Sequence, residues 1–201
     1  MPKLINRFQK LYPTIDLTFV DLVSYEEIDK ALLENRINVT MTIGNNLAKK
    51  EGIHFLTIEK EQPTCSIMAD HPIAQKESLA IQDLRGMAVC TIAKGFSNWH
   101  DSLNKYIKAH EPSINIIEIT SNEKGILRLQ QPNTVGIGAP IVTPTWLEGR
   151  VMLPFEPPQG VQERISVDLA TSMPDSPLLT SFLNAARYVA KHELIGDHFY
   201  R

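Results

Sequence analysis

Apolar positions recur at two different periods along this chain, and the switches between them set the order of elements. Near the N-terminus Leu4, Ile5, Phe8, Leu11 and Tyr12 fall three and four residues apart, with Lys3, Arg7 and Lys10 opposite. That spacing predicts a helix, which Pro13 ends. Ile15, Leu17 and Phe19, followed by residues 20–23, predict a strand with partial alternation. Ser24 with Glu27 three residues later is a capping-box pattern, opening a helix through Ile28, Ala31, Leu32 and Leu33. Residues 39–43 predict another strand, stopped by Gly44, Asn45 and Asn46. Strand, helix and strand in this order make a βαβ unit of a parallel sheet.

Residues 47–62 are polar, with a short strand pattern at 54–58. The run 65–69 is apolar and predicts a buried strand, which Asp70, His71 and Pro72 stop. Leu79, Ile81 and Leu84 lead to Gly86 and a strand at 87–92. Ser97 caps a helix running to about His110, with Trp99, Leu103, Tyr106 and Ile107 on one face. A strand at 114–119 follows, then a short helix through Ile126, Leu127 and Leu129 capped by Ser121 or Asn122. Residues 135–140 read as a strand entering a close-packed loop, and 151–155 as a short strand. Pro154, Pro157 and Pro158 mark a surface connection. Residues 165–170 alternate Ile165, Val167 and Leu169 with Ser166 and Asp168. The last helix begins at Pro177 and turns Leu178, Phe182, Ala185, Ala186 and Val189 inward.

This order predicts an α/β fold of two βαβ-type, Rossmann-like lobes joined by two crossover strands. The chain leaves the first lobe at 65–69 and returns along 163–171. Lobe I is then residues 1–66 plus 166–201, and lobe II is 67–165. Strand ends and helix N-termini of both lobes open into the cleft between them, where parallel α/β sheets bind ligands.

Composition narrows the function classes. The chain has 201 residues, 43% of them hydrophobic, enough for a sizeable core. A net charge of −3 with scattered Lys and Arg argues against a surface built for phosphate backbones. The Lys49-Lys50 pair and the Lys3, Arg7, Lys10 group read as solvated faces. Cys65 and Cys90 sit in separate apolar runs and read as small buried apolar residues, which fits a reducing compartment. No apolar run approaches the ~20 residues that span a bilayer, and the N-terminus has no signal-peptide core, so the chain reads as soluble and cytoplasmic.

Candidate chemistry lies at the strand ends. Ser24 and Tyr25 open a helix; Ser24 caps it, contacts a ligand, or does both. Thr42, Ile43 and Gly44 leave the strand on the same edge, as a plain exit or as cleft lining. Ala93, Lys94, Gly95, Phe96 and Ser97 form the corresponding loop of lobe II, where free N–H groups and the helix dipole suit a carboxylate. Lys94 adds charge there or points into solvent. Gly138 and Ala139 allow close backbone packing or close ligand approach. Asp168 faces the cleft or water. His54, His71, His100, His110, His192 and His198 show no metal-ligand spacing, and no catalytic or phosphate-binding motif stands out, so neither metal nor cofactor is expected. Trp99 and Trp146 read as core or interface anchors.

The motifs together resemble the effector-binding (regulatory) domain of LysR-type transcriptional regulators. The resemblance rests on PKLINRF at 2–8 with Tyr12-Pro13, ALLENRINV at 31–39, DHPIA at 70–74 with IQDL at 81–84, GIGAP at 136–140 and LEGRV at 147–151. Each is weak alone; their order and spacing cover essentially the whole chain. The resemblance implies a fold like type 2 periplasmic binding proteins, a small-molecule effector between the lobes, such as an organic acid or amino acid, and a bacterial source. It implies transcription control through an N-terminal winged helix-turn-helix absent from this sequence, so that DNA contact belongs to that missing part. It implies a homodimer paired head to tail through the helices at 2–11 and 97–110. It also implies that Ser24 and Tyr25 belong to a ligand-contacting loop, together with Thr42, Ile43, Gly44, Ala93, Lys94, Gly95, Ser97, Gly138 and Ala139. The sequence departs from the family in starting after the usual first strand of lobe I and in carrying Asn38 where an Asp is frequent. The rival readings are a solute-binding protein of a transporter and a small enzyme on the same two-lobed plan.

Overall fold

The computed structural model describes residues 2–22, 24–45, 49–140 and 149–192. Val23, Asn46, Trp146, His198 and the Leu147-Glu148 start of LEGRV lie outside the described residues. In chain order the elements are α1 (Pro2–Leu11), α2 (Tyr25–Leu33), β1 (Thr40–Ile43), β2 (His54–Glu61), β3 (Thr64–Met68), β4 (Leu79–Ala80) and β5 (Ala88–Ile92). Then come α3 (Asn98–His110), β6 (Asn115–Ile119), α4 (Asn122–Leu129), β7 (Thr134–Gly138), β8 (Arg150–Glu156), β9 (Ile165–Thr171) and α5 (Pro177–His192). Three helices carry the serine caps expected of them: Ser24, Ser97 and Ser121 accept from the backbone N–H of Glu27, His100 and Lys124.

The strands form two sheets. One is three-stranded, in the order β1-β9-β2, and the other six-stranded, in the order β4-β8-β3-β7-β5-β6. In the large sheet β5 pairs in parallel with both β6 and β7, so β5-α3-β6 is a true βαβ unit. The small sheet differs from expectation. β1 and β2 each run antiparallel to β9, and residues 15–22 form no strand. Ile15 and Leu17 pack on the core, whereas Phe19 and Val20 stand 70% and 46% exposed. The alternation holds only for Ile15 and Leu17 and fails at Phe19; a strand also needs a neighbour for its backbone groups, and residues 15–22 join no ladder among the described residues.

β9 also departs from its alternating pattern: all seven residues are buried, because it is the central strand of its sheet. The chain passes between sheets at residues 62–63 and 157–164, since Thr64 is already in the large-sheet ladders with β7 and β8. The strands within the runs expected to cross, Thr64–Met68 and Ile165–Thr171, therefore each belong to one sheet. Pro154 lies inside β8 rather than in a connection. Phe155 donates its N–H toward Pro63, so the N–H missing at Pro154 would point the other way, where β4 pairs only from Phe155 onward.

One apolar core runs through both sheets. Phe8 of α1 meets Phe182 of α5 edge to face with ring centroids 5.0 Å apart, while Trp99, Leu103 and Ile107 of α3 pack into the same cluster. Trp99 reaches Phe155 of β8 at 6.4 Å and donates from its indole N–H to Gln162 O.

The sheets meet at the end of β1. Gly44 donates to Ser166 O in the small sheet and accepts from Trp99 N–H at the start of α3. Its φ is +71°, and a Cβ there would stand inside contact distance of Ser97 Oγ and 2.7 Å from Trp99 Cβ. Gly44→Ala is therefore expected to cost about 2–4 kcal/mol, left-handed strain plus overpacking. Gly160→Ala, at φ +90° but in open space, should cost only the strain, ~1–2 kcal/mol. Urea unfolding midpoints of the two variants check this; equal losses would show that the approach of α3 to Gly44 contributes nothing.

Candidate functional site

A cavity of about 350 Å³ opens between the two sheets. On the small-sheet side its wall is Thr42 and Ile43 of β1 with Tyr25, Ile28 and Asp29 of α2. Those three α2 residues share one helix face, being spaced three and four apart. On the large-sheet side the wall is Ile92, Gly95, Phe96 and Asn98. Lys49 and Lys50 line it as well. The Lys50 ammonium pairs with Asp29 and lies 5.1 Å from the Phe96 ring centroid. The Tyr25 ring sits 5.6 Å from Phe96, and burial, with the Glu123 charge added, pushes its phenol up to about 12, so it is neutral at physiological pH.

Of the residues expected at the site, Tyr25, Thr42, Ile43 and Gly95 line this cavity. Gly138 lines a neighbouring one, together with Tyr25 and Ile43. Gly44, Ala93, Ser97 and Ala139 are buried and line neither. Ser24 is half-buried as the α2 cap and lines neither. Lys94 is exposed.

The amides expected to cradle a carboxylate at the start of α3 are occupied. Lys94 N–H donates to Glu118 Oε2 at 3.2 Å, and Gly95 N–H to Asp101 Oδ2 at 3.1 Å. Asn98 N–H donates to Asn45 Oδ1 and Trp99 N–H to Gly44 O. The protein's own acids and the small sheet take the place foreseen for a ligand.

Sequence reasoning missed Asp29, Asn45, Lys50 and Asn98. Asp29 was accessible from spacing alone, four residues after Tyr25 on one helix. Lys50 carried a misleading signal, since adjacent lysines in a polar stretch read as solvated. Asn45 joins the sheets: its Nδ2 donates to Thr42 Oγ1 at 2.9 Å and to Phe96 O at 3.0 Å.

Ser97 and His100 resemble a nucleophile and its base, but the geometry serves structure. Ser97 Oγ lies 2.8 Å from His100 Nδ1, and Nε2 lies 3.0 Å from Ile137 O. A carbonyl only accepts, so Nε2 carries the proton and Nδ1 accepts from the Ser97 hydroxyl. Ser97 and His100 are 0% and 1% exposed, out of reach of a substrate. Among the described residues no group of three His, Cys, Asp or Glu is placed to hold a metal ion.

The LysR substrate binding domain family model matches residues 1–191, and the chain belongs to that family. It is 22% identical over 94 residues to the HTH-type transcriptional regulator AlsR of Bacillus subtilis (strain 168), a match covering 47% of this chain but only 30% of AlsR. The effector binding domain of QuiR in complex with shikimate superposes with a TM-score of 0.66 at 18% identity, over 95% of this chain and 90% of that one. The BenM effector binding domain with its effector benzoate gives 0.68 at 15% identity, over 100% of this chain and 91% of that one. These likenesses establish the fold, the two-lobed periplasmic-binding-protein-like plan of LysR effector-binding domains.

Burial holds His100 at about 4, below its ordinary value, against the opposing pull of Ile137 O. The unfolded chain therefore takes up this proton first, near pH 6.5. Stability from His100 is complete above that pH and lost as pH falls toward 4, by up to about 3 kcal/mol. Urea midpoints between pH 7.5 and 4 should fall with this slope, and His100→Asn should remove that component. An unchanged slope in the variant would place the acid sensitivity elsewhere.

Proposed function

We propose that this chain is the ligand-sensing part of a LysR-type transcription factor, and that a small carboxylic acid binds in the cavity between its sheets. The observation that carries this reading is that α2 and β1 form one wall while the start of α3 forms the other. A ligand touching both walls has different affinities for different lobe arrangements, which is all that a sensor requires. The choice of an acid follows from charge. Lys49 and Lys50 outnumber Asp29 among the ionised groups at the cavity wall, and both QuiR and BenM are seen with carboxylates. AlsR is a helix-turn-helix regulator, and in this reading DNA contact belongs to such a module in the full-length cytoplasmic protein. The ligand is bound and released, not turned over; the serine and histidine nearest to a catalytic pair are both sealed in the core.

Thermal-shift measurement against shikimate, benzoate and their uncharged amides tests the site. A ligand at a hundred times its dissociation constant adds ~2.7 kcal/mol, so an acid that fits raises the melting temperature and its amide does not. Lys50→Ala removes one cation and leaves Asp29 to repel the carboxylate, so affinity should fall tenfold or more. Equal shifts with acids and amides, or an unaffected Lys50→Ala, would refute carboxylate recognition.

The same reading includes a homodimer through α1 and α3. Leu11, at the end of α1, is 49% exposed, and Lys105 and Lys108 lie exposed on α3. Light scattering at micromolar concentration should give twice the chain mass. A monomer that persists on concentrating would remove the dimer.

A further inference from the structure

A second cavity, of about 260 Å³, lies against the first on the large-sheet side. Ile119 at the end of β6, Ile126 and Leu129 of α4 and Ile137 of β7 form its apolar walls. Gly125, Gly136 and Gly138 complete it. A methyl group on Gly136 would stand 3.0 Å from the Leu129 side chain, so glycine there lets Leu129 pack directly against β7 as one wall of the chamber. The polar groups at its edge are already engaged. Thr91 Oγ1 accepts from Asn104 Nδ2 at 3.0 Å, and Ser66 Oγ accepts from Arg150 Nε at 3.0 Å. Cys90, also lining it, is a buried thiol pushed up by burial.

The two cavities share Tyr25, Ile43 and Ile92 as lining residues. Tyr25 is thus a partition between a chamber with ionised groups and one without. Each volume alone is at or below the small end of the ~300–1,000 Å³ range of small-molecule sites, and a molecule that passes Tyr25 can use both.

The geometry points to a two-part ligand: an anionic head held near Lys49 and Lys50, and a flexible apolar tail lying past Tyr25 against Ile126, Leu129 and Ile137. The chemical class is a medium-chain carboxylic acid. This inference rests on the proposed carboxylate site and extends it. The head finds a net positive charge and the Thr42 hydroxyl. The tail removes apolar surface from water in a chamber whose Thr91 and Ser66 hydroxyls are already engaged by neighbouring side chains.

Isothermal titration with butanoate, hexanoate, octanoate and decanoate reads the tail directly. Each added methylene buried in the chamber should tighten binding about fourfold, until the chain fills it. Ile126→Trp, on a half-buried position of α4, fills the chamber and should collapse the ratio of decanoate to butanoate affinity at least tenfold. Leu127→Trp, the same insertion one position along on the 69% exposed side of α4, leaves the chamber open and should keep the gain per methylene, which separates filling from damage to the fold. A flat series in the unmodified chain overturns the tail, as does an undiminished gain in Ile126→Trp or a loss in both variants. If butanoate still binds and Lys50→Ala still weakens it, the carboxylate site stands without the tail. If no acid binds, both readings fall.

Discussion

Asp168 is a carboxylate at 0% exposure, and among the described residues no lysine, arginine or histidine pairs with it. An ionised group so placed costs several kcal/mol unless donors surround it. Three do: Asn45 N–H at 3.0 Å, the Ser166 hydroxyl at 2.6 Å and the Thr57 hydroxyl at 2.8 Å. Those donors come from the end of β1, from β9 itself and from β2, so one side chain ties together all three strands of the small sheet. The tie then continues across the cleft. Once its N–H is committed to Asp168, Asn45 is oriented to give Nδ2 to Phe96 O and to accept Asn98 N–H on Oδ1. The approach of α3 to β1, and hence the width of the cavity, follows from a buried charge that had to be satisfied.

This placement makes the contact between the lobes both firm and adjustable. Asn45 and Asn98 line the cavity as well as bridging the sheets. A ligand that competes for the Asn45 amide weakens a lobe-to-lobe bond, and one that adds to it strengthens that bond. Each such hydrogen bond is worth ~0.5–1.5 kcal/mol net, comparable with the 1–3 kcal/mol couplings typical of allosteric sites. The second bridge, Tyr25 N–H to Thr120 O at 3.2 Å, lies at the partition between the two chambers, where a bound molecule would press on it.

What the sequence disclosed and what it withheld divide along the range of the interactions. Caps are local: a serine and the amide three residues on lie within one turn, so Ser24, Ser97 and Ser121 were readable from spacing, although Ser121 shared its place with Asn122. Helix faces are local too: Phe182, Ala185, Ala186 and Val189 are buried as the periodicity requires, although Leu178, expected on the same face, is 47% exposed in the first turn. Sheet membership is not local. Residues 15–22 have the alternation of a strand and lack only a partner. β9 has the alternation of a half-exposed strand, yet Asp168 is buried because Asn45 and Thr57, 123 and 111 residues away in sequence, satisfy it together with the neighbouring Ser166 hydroxyl. The α3 amides illustrate the same limit at the site. Their place in the loop that opens α3 was legible, but not that Glu118, from β6, would already hold the amide of Lys94.

The large sheet solves the complementary problem, a half-buried cation, by the same means. Arg150 donates to Ser66 O, Thr134 O and Leu129 O at 2.6 Å and to the Ser66 hydroxyl, with no carboxylate partner among the described residues. Leu129 O belongs to the last turn of α4, where the helix dipole is negative. Burial still disfavours the charge and lowers the guanidinium below its ordinary value, but from a starting point so high that it stays charged. Both sheets thus settle an internal ion with peptide dipoles and hydroxyls instead of a counterion. Such ties depend on backbone position, so they fix the strands around each chamber while leaving its side chains free to adapt. At the cavity wall the charges are settled differently, by a direct ion pair between Lys50 and Asp29, with Lys49 beside them.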